Sequence, residues 1–230
     1  MRRDIFEFHE TERTNLGEAS GEFDVAAIAA AWAAGWARTR NKAPPVSQAY
    51  GWKIDLGAPL HLERHVVVQR DAETLRELID GLQAPGTWLK VCAHPEQVAP
   101  LLPAHWEVQA PEYLMAKVLN QTVAAPHDTY RLALIRFGAV ADAEFRDDDG
   151  QLAARGRVAH CDSFATFDQI VTEPGHQRKG LGRAIMAALG NLSIAEAANL
   201  GVLVATGEGR ALYQAMGWTV VSPVTAAVIA

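Results

Sequence analysis

Two glycines, Gly180 and Gly182, lie in a short basic segment whose residue types suit the binding of a phosphate group. Glycine lets backbone N–H groups approach a ligand closely, and the start of a helix adds about half a positive charge. Basic or potentially basic side chains flank the pair: His176, Arg178, Lys179 and Arg183. If the chain turns here from a strand into a helix, the segment predicts a site for phosphate or pyrophosphate.

The flanking segments predict that turn. Residues 164–172, FATFDQIVT, are rich in β-branched and aromatic residues and predict a strand. After the loop, Ile185, Leu189 and Leu192 recur on one helical face. The loop lacks the G-x-x-x-x-G-K-[ST] pattern, and Ile185 stands where a dinucleotide fingerprint requires glycine or alanine. An ordinary glycine-containing turn that binds nothing stays open as the alternative.

The pattern Q-x-x-G-x-G at residues 177–182 resembles the acyl-CoA pyrophosphate loop of the GNAT superfamily, the acetyl-CoA-dependent N-acetyltransferases. Residues 202–205 predict the next strand, and ALYQAMGW at 211–218 resembles the A-x-x-x-Y-x-x-x-G-F ending of many members. The resemblance covers residues 130–228. It implies acetyl-CoA as co-substrate, without a metal, held by Ile170, Val171, Thr172, Gln177, Arg178, Lys179, Gly180, Leu181, Gly182 and Arg183.

Tyr213 is the candidate general acid. A phenol with a pKa near 10 is protonated at neutral pH and can donate to a departing thiolate. The resemblance places a tyrosine with that role at this position of the motif. The alternative is a tyrosine that only packs on one face of its helix.

Asp168 is the candidate general base, since an acceptor ammonium must lose a proton before it attacks. Strand alternation predicts that Thr166, Asp168 and Ile170 share one face. Family members often carry a glutamate on this strand, but that position here is Thr166, so the match is broken. A surface or turn role for Asp168 stays open, and His160 and Glu173 are weaker candidates.

A faint duplication is present, because W-x-V-x-x-P begins at both Trp106 and Trp218, an offset of 112 residues. It predicts two degenerate halves, residues 1–125 and 126–230, with residues 123–127 as the joint. The first half has no glycine pair, and Asp71 and Glu73 at the start of its helix would repel pyrophosphate. Only the second half is therefore expected to bind acyl-CoA. Chance similarity between short strings is the alternative.

The predicted fold class is α/β (α+β), a mixed and mostly antiparallel GNAT-like sheet flanked by helices. Helices are predicted at residues 23–40, 72–82 and 96–102, and a long strand at 106–117. The second half has no room for the two early helices of a complete family fold. The first half is expected to supply that missing wall, and the acceptor pocket is expected at the junction, near the first helix and its Trp32–Trp36 face. Burial of both tryptophans in the first half's own core is the alternative.

Composition narrows the class of protein. The 230 residues are 49% hydrophobic with a net charge of −6, so bulk charge gives no support to nucleic-acid binding. Two cysteines indicate reduced thiols in the cytoplasm rather than a disulfide framework or a metal cluster. The N-terminus lacks a secretory core, and residues 25–37, the longest apolar stretch, are too few to cross a bilayer. No membrane partner is expected, and a homodimer is left open.

These observations predict an N-acetyltransferase in which the primary amine of a small-molecule or peptide acceptor attacks acetyl-CoA directly. The main alternative is a non-catalytic acyl-CoA-binding or regulatory module, which would keep the loop but dispense with Tyr213 and a base. A purely structural interaction domain would leave the loop unexplained.

Overall fold

The computed structural model describes residues 23–68, 71–123 and 128–230. Those residues form a twelve-stranded sheet with helices on both faces. The helices are α1 Val25–Thr39, α2 Ala72–Gly81, α3 Pro95–Val98, α4 Leu181–Ala195 and α5 Gly207–Gln214. The strands are β1 Val46–Gln48, β2 Gly51–Ala58, β3 His61–Val67, β4 Thr87–Val91, β5 Trp106–Val108, β6 Glu112–Val118, β7 Tyr130–Phe137, β8 Val140–Asp147, β9 Leu152–Cys161, β10 Phe164–Thr172, β11 Leu200–Thr206 and β12 Thr219–Ile229. In the described part of the chain, no helix is long and apolar enough to span a bilayer.

The strand order confirms the predicted fold class. Along the sheet the strands run β1-β2-β3-β4-β12-β6-β11-β10-β9-β8-β7, and β5 pairs with β12. Two of the described pairs, β3 with β4 and β10 with β11, are parallel, and the others are antiparallel. The sheet is therefore mixed and mostly antiparallel, as predicted.

The last strand of each predicted half, β6 or β12, lies beside strands of the other half. Strand β12 lies between β4 and β6, while β6 lies between β12 and β11. Ala116 faces Thr219, and Glu107 faces Val228. Adding the offset of 112 residues to Glu107 gives Thr219, and adding it to Ala116 gives Val228. The two facing pairs are therefore equivalent positions of the predicted duplication. Such an arrangement is what a duplicated chain with an approximate two-fold axis would have.

Because of this exchange, residues 1–125 and 126–230 do not form separate sheets. The duplication and its boundary stay predictions, and residues 124–127 of the predicted joint lie outside the described residues, as does the N-terminal segment 1–22. The predicted strand at 106–117 is interrupted. It divides into β5 and β6 at residues 109–111, where the Gln109 N–H still donates to the Ala226 carbonyl at 2.8 Å but Pro111 has no N–H to donate.

Helix α1 crosses the sheet face that both halves share. Asp24 caps it by accepting a hydrogen bond from the Ala26 N–H at 2.9 Å, and it ends one residue before the predicted end. Gly35 allows close packing, since a Cβ there would lie 2.0 Å from Oγ1 of Thr166 on β10. The core beneath α1 draws on both halves: Trp32, Trp36, Ile54, Val66, Val202 and Val224. The tryptophans thus lie at the junction rather than in a core of the first half alone.

Candidate active site

A cleft opens between β10 and β11. The two strands pair only where residues 164–166 face 200–202, and beyond Thr166 they separate. A bulge also interrupts the pairing of β10 with β9 between Asp168 and Val171, where Gln169 has a φ of 54°. The separation leaves a cleft of about 830 Å³ that passes between the strands toward both faces of the sheet.

The bulge overturns the prediction that Thr166, Asp168 and Ile170 share one face. Thr166 donates a hydrogen bond to the Ala31 carbonyl on α1 at 3.1 Å, and Asp168 also contacts α1. Ile170 instead packs under α4, because a Cβ added at Gly156 would meet its Cδ1 at 2.6 Å beside Ile185. The left-handed residue at the bulge shifts the alternation by one position.

The basic loop closes one end of the cleft. A 3₁₀ turn, Pro174–His176, leads into it, and Arg178 and Gly180 have φ values of 64° and 80°. Helix α4 then begins, and its first N–H groups have no acceptor within the helix. A Cβ on Gly182 would lie 3.6 Å from Oγ1 of Thr172 and 3.7 Å from Leu212, so a side chain there would fill the cleft.

Most of the predicted cofactor residues line this cleft: Ile170, Thr172, Gln177, Arg178, Gly180, Leu181, Gly182 and Arg183. Two predicted residues lie beside it. Val171 is 40% exposed, and Lys179 donates a hydrogen bond to the Tyr130 hydroxyl at 3.0 Å. The loop therefore offers backbone N–H groups and basic side chains at the start of a helix, an arrangement suited to pyrophosphate.

Tyr213 lies on the wall opposite the loop. It projects from α5, whose cap Thr206 accepts a hydrogen bond from the Gly209 N–H at 3.2 Å. Its ring is 8% exposed and packs at 6.1 Å from the ring of Trp218. Burial, aided by the negative charge of Asp168, raises the pKa of Tyr213 to about 12. The phenol therefore keeps its proton at neutral pH while it lines the cleft.

Asp168 lines the same cleft but is already engaged. Its Oδ2 accepts a hydrogen bond from Oγ1 of Thr39 at 2.9 Å and forms an ion pair with Arg40, both at the end of α1. Among the described residues nothing donates to its Oδ1, which leaves one carboxylate oxygen for a ligand. The structure thus brings Tyr213, Asp168 and the loop to one cleft.

The two weaker base candidates are elsewhere. His160 contacts Oγ of Ser193 at 3.0 Å, and Glu173 caps the 3₁₀ turn before the loop. Neither lines the cleft between β10 and β11.

The sequence prediction missed a charged cluster on the α1 face. It consists of Arg64 on β3, Lys90 on β4 and Glu112 on β6, close to Trp36 and Arg40 of α1. A signal was present, because Arg64 and Lys90 are single cations in the otherwise apolar strand segments RHVVV and TWLKV. A cation in such a strand either faces solvent or is buried because it has a specific role in the protein interior.

Among the described residues of the first half, the corresponding strands do not separate. Strands β3 and β4 stay paired from Glu63 opposite Thr87 to Val67 opposite Val91. Asp71 caps the following helix, accepting from the Thr74 N–H at 2.9 Å. A small cavity of about 210 Å³ lies there, lined by Ala72, Leu75, Val91, Ala93, Gln97, Val98 and Leu101. Its lining carries no charged side chain, so it offers nothing to hold pyrophosphate.

Comparison with known proteins gives a family for part of the chain and a fold for most of it. Residues 139–220 match the acetyltransferase (GNAT) domain family. No curated protein sequence matches the chain. A GCN5-related N-acetyltransferase from Kribbella flavida has a similar structure at 16% identity and a TM-score of 0.63, over 89% of this chain and 95% of that one. Another, from Sphaerobacter thermophilus, has 12% identity and a TM-score of 0.58, over 89% and 93%. At these identities the likeness shows the fold alone, and it includes the first half.

Proposed function

We propose that this chain, whose residues 139–220 form a GNAT acetyltransferase domain, transfers an acetyl group from acetyl-CoA to a primary amine by direct attack. The observation that carries the proposal is the cleft between β10 and β11, which a basic helix start bounds at one end and Tyr213 on one wall. An acyltransferase needs a held thioester, an oxyanion donor and a proton source, and this cleft can supply all three.

The thioester would be held by the loop and by the free edge of β10. The pyrophosphate would lie against the N–H groups of residues 178–183, where the helix dipole favours negative charge. Beyond Thr166 the edge of β10 that faces β11 has no partner strand, so its amides can pair with the pantetheine chain. A backbone N–H near Val171 would hold the thioester oxygen as it gains charge.

Tyr213 would act on the sulfur. Its pKa of about 12 lies well above that of an ordinary thiol, about 8.5, so complete proton transfer from the phenol would be unfavourable. The phenol therefore stabilises the departing thiolate by donating a hydrogen bond. As the C–N bond forms and the C–S bond breaks, the acceptor nitrogen loses a proton and the thiolate takes one up, so CoA leaves as the thiol and the phenol keeps its own proton.

The acceptor would approach from the α1 face. Asp168, Val204 and Thr206 line the cleft on that side, whereas Leu203, Ala205 and Tyr213 line it on the other. An ammonium that donates to Oδ1 of Asp168 would lie near the acyl carbon once the thioester fills the cleft. The acceptor is thus a small-molecule or peptide amine. Cys92 and Cys161 are not joined in a disulfide, which suits a cytoplasmic setting.

A screen of amines with acetyl-CoA, followed by detection of free thiol, tests the proposal. We expect thiol release that depends on an amine, and an acetylated product of matching amount by mass spectrometry. Tight binding of acetyl-CoA without transfer to any amine would favour the non-catalytic module. Absence of both binding and transfer would contradict the assignment of the cleft.

A further inference from the structure

In the part of the chain that the structure describes, Arg64 is a buried cation without an anionic partner. Its side chain lies on the α1 face of β3 and is 7% exposed. Among the described residues it forms no ion pair and no hydrogen bond, and its Nε is buried without a partner. Its guanidinium instead stacks on the ring of Trp36, 3.7 Å from the ring centre. Burying a charge is unfavourable unless an opposite charge or hydrogen bonds compensate it.

The nearby carboxylates are already paired with other cations. Glu112 binds Lys90 at 2.5 Å, and Asp168 binds Arg40, whose guanidinium lies 3.8 Å from the Trp36 ring. Together with Arg40 and Asp168, the cluster has three cations and two anions among the described residues, and Arg64 carries the excess charge. Burial lowers the pKa of Arg64 to about 10 and that of Lys90 to about 8.

A chain of contacts links the excess charge to Asp168, which lines the cleft. Asp168 pairs with Arg40, whose guanidinium lies 3.8 Å from the centre of the Trp36 ring. Arg64 and Asp168 both contact or approach the end of α1, through Trp36 and Arg40 respectively. The Arg64 guanidinium therefore lies on the same face of the sheet as the end of α1 and Asp168, the face from which the acceptor amine would approach.

We propose that Arg64 binds an anionic group of the acceptor, so that the substrate is an amine that also carries a carboxylate or a phosphate. This inference rests on the proposed acetyl transfer for the identity of the ligand as an acceptor. A guanidinium presents a planar fork of N–H donors that matches both anions, and Trp36 holds that plane fixed from one side. Occupation by the anion neutralises the buried charge.

Pairs of amines that differ only in the anion test the proposal. One pair is an α-amino acid and its amide, and the other is phosphoethanolamine and ethanolamine. We expect the protein to favour the anionic member of one pair by about 10²-fold in kcat/KM, since a site built for an anion is left unpaired without it. The pair with the larger preference distinguishes carboxylate from phosphate.

Variants assign that preference to Arg64. Arg64→Met should reduce it to less than tenfold, and Arg64→Lys should retain part of it as a charge without the fork. The control is Arg136→Met, which removes an exposed arginine paired with Glu196 and should leave the preference unchanged. Arg64→Met should also unfold at the same or a higher temperature than the parent, because it removes an uncompensated buried charge.

Opposite results would overturn the proposal. Equal rates for both members of each pair, while transfer proceeds, would reject it and leave the proposed function standing. A marked loss of stability in Arg64→Met without a change in preference would show that Arg64 is structural. A preference for succinyl-CoA over acetyl-CoA that Arg64→Met abolishes would assign the anion to the acyl group instead.

A binding measurement separates this proposal from the proposed function. With CoA present, the amino acid or phosphoethanolamine should raise the unfolding temperature of the parent and of Arg136→Met but not of Arg64→Met. If that pattern holds while no amine releases thiol, the anion site stands and acetyl transfer fails.

Discussion

Arg40 at the end of α1 and Asp168 on β10 form an ion pair that ties the first half of the chain to the strand that lines the cleft. Thr39 adds a hydrogen bond to the same carboxylate oxygen, and its carbonyl accepts one from Arg157 of β9 at 3.0 Å. Arg157 is in turn held by both carboxylate oxygens of Asp142, at 2.6 and 2.7 Å. The first half thus fixes the position of a carboxylate that the second half would use.

Asp168→Asn should lower kcat/KM for the amine by about 10–10²-fold, because a hydrogen bond to a charged group contributes about 1.5–3 kcal/mol. The affinity for acetyl-CoA should not change. Steady-state kinetics and calorimetry measure the two effects, with Asp149→Asn in the exposed β8–β9 turn as the control. Unchanged kinetics in a folded Asp168→Asn protein would leave Asp168 with only its structural contacts.

Tyr213→Phe should lower kcat by roughly 10²–10⁴-fold, the usual contribution of a positioned proton donor. The dissociation constant of acetyl-CoA should stay the same, since the hydroxyl acts on the leaving thiolate. Tyr113→Phe is the control, because that ring lies on the neighbouring β6 and stacks with Arg210 at 4.3 Å. Full turnover in Tyr213→Phe would show that Tyr213 only packs on its helix face and does not act in the reaction.

The buried pair of Lys90 and Glu112 should make stability rise with pH. Burial lowers the pKa of Lys90 from 10.5 to about 8, so between these values the unfolded chain holds a proton that the folded chain has released. The free energy of unfolding therefore increases from pH 8 toward 9.5, and below pH 8 the full cost of burying the charge is present.

The double variant Lys90→Met with Glu112→Gln removes both charges and should lack this increase. Urea unfolding of the parent and the double variant at pH 7, 8, 9 and 9.5 measures the difference. Shifts at other groups, such as the pKa of Cys161 that burial raises, are common to both proteins and cancel. Parallel pH profiles would show that Lys90 keeps its proton as it does in the unfolded chain.

A fragment of residues 128–230 should not fold alone. It would lack β6, which lies between β11 and β12 and buries Leu114, Met115 and Ala116. It would also lack α1, which covers the face of β9 and β10 that lies away from α4. We expect no cooperative unfolding transition by circular dichroism. A fragment that folds and acetylates acceptors at the full-length rate would show that the first half is not needed for folding or for activity.

Local sequence features predicted the elements that position the site, but not how the strands pair. The strand at residues 164–172 has the predicted ends, because turn residues bound a run of β-branched and aromatic side chains. The bulge at Gln169 had no sequence signal, since glutamine has no special preference for a positive φ. The bulge lies where β10 separates from β11.

Non-local pairing explains the other differences. The exchange of β6 and β12 depends on contacts about a hundred residues apart, which no local pattern encodes. Arg64 was missed for a related reason. Its burial results from α1 and Trp36 covering β3, and a strand segment alone does not indicate which helix will cover it. The duplication predicted that the two halves meet at a junction, but it could not predict which side chains are in contact there.

A titration with acetyl-CoA tests the central claim, that the cleft between β10 and β11 is the acyl-CoA site. We expect one site per chain by calorimetry, and a sharp loss of affinity in Gly182→Val, whose side chain would enter the cleft near Thr172 and Leu212. Gly190→Val, in the same helix where an added Cβ meets nothing within 4 Å, should bind as the parent does. Two equivalent sites, or full affinity in a folded Gly182→Val protein, would contradict the account.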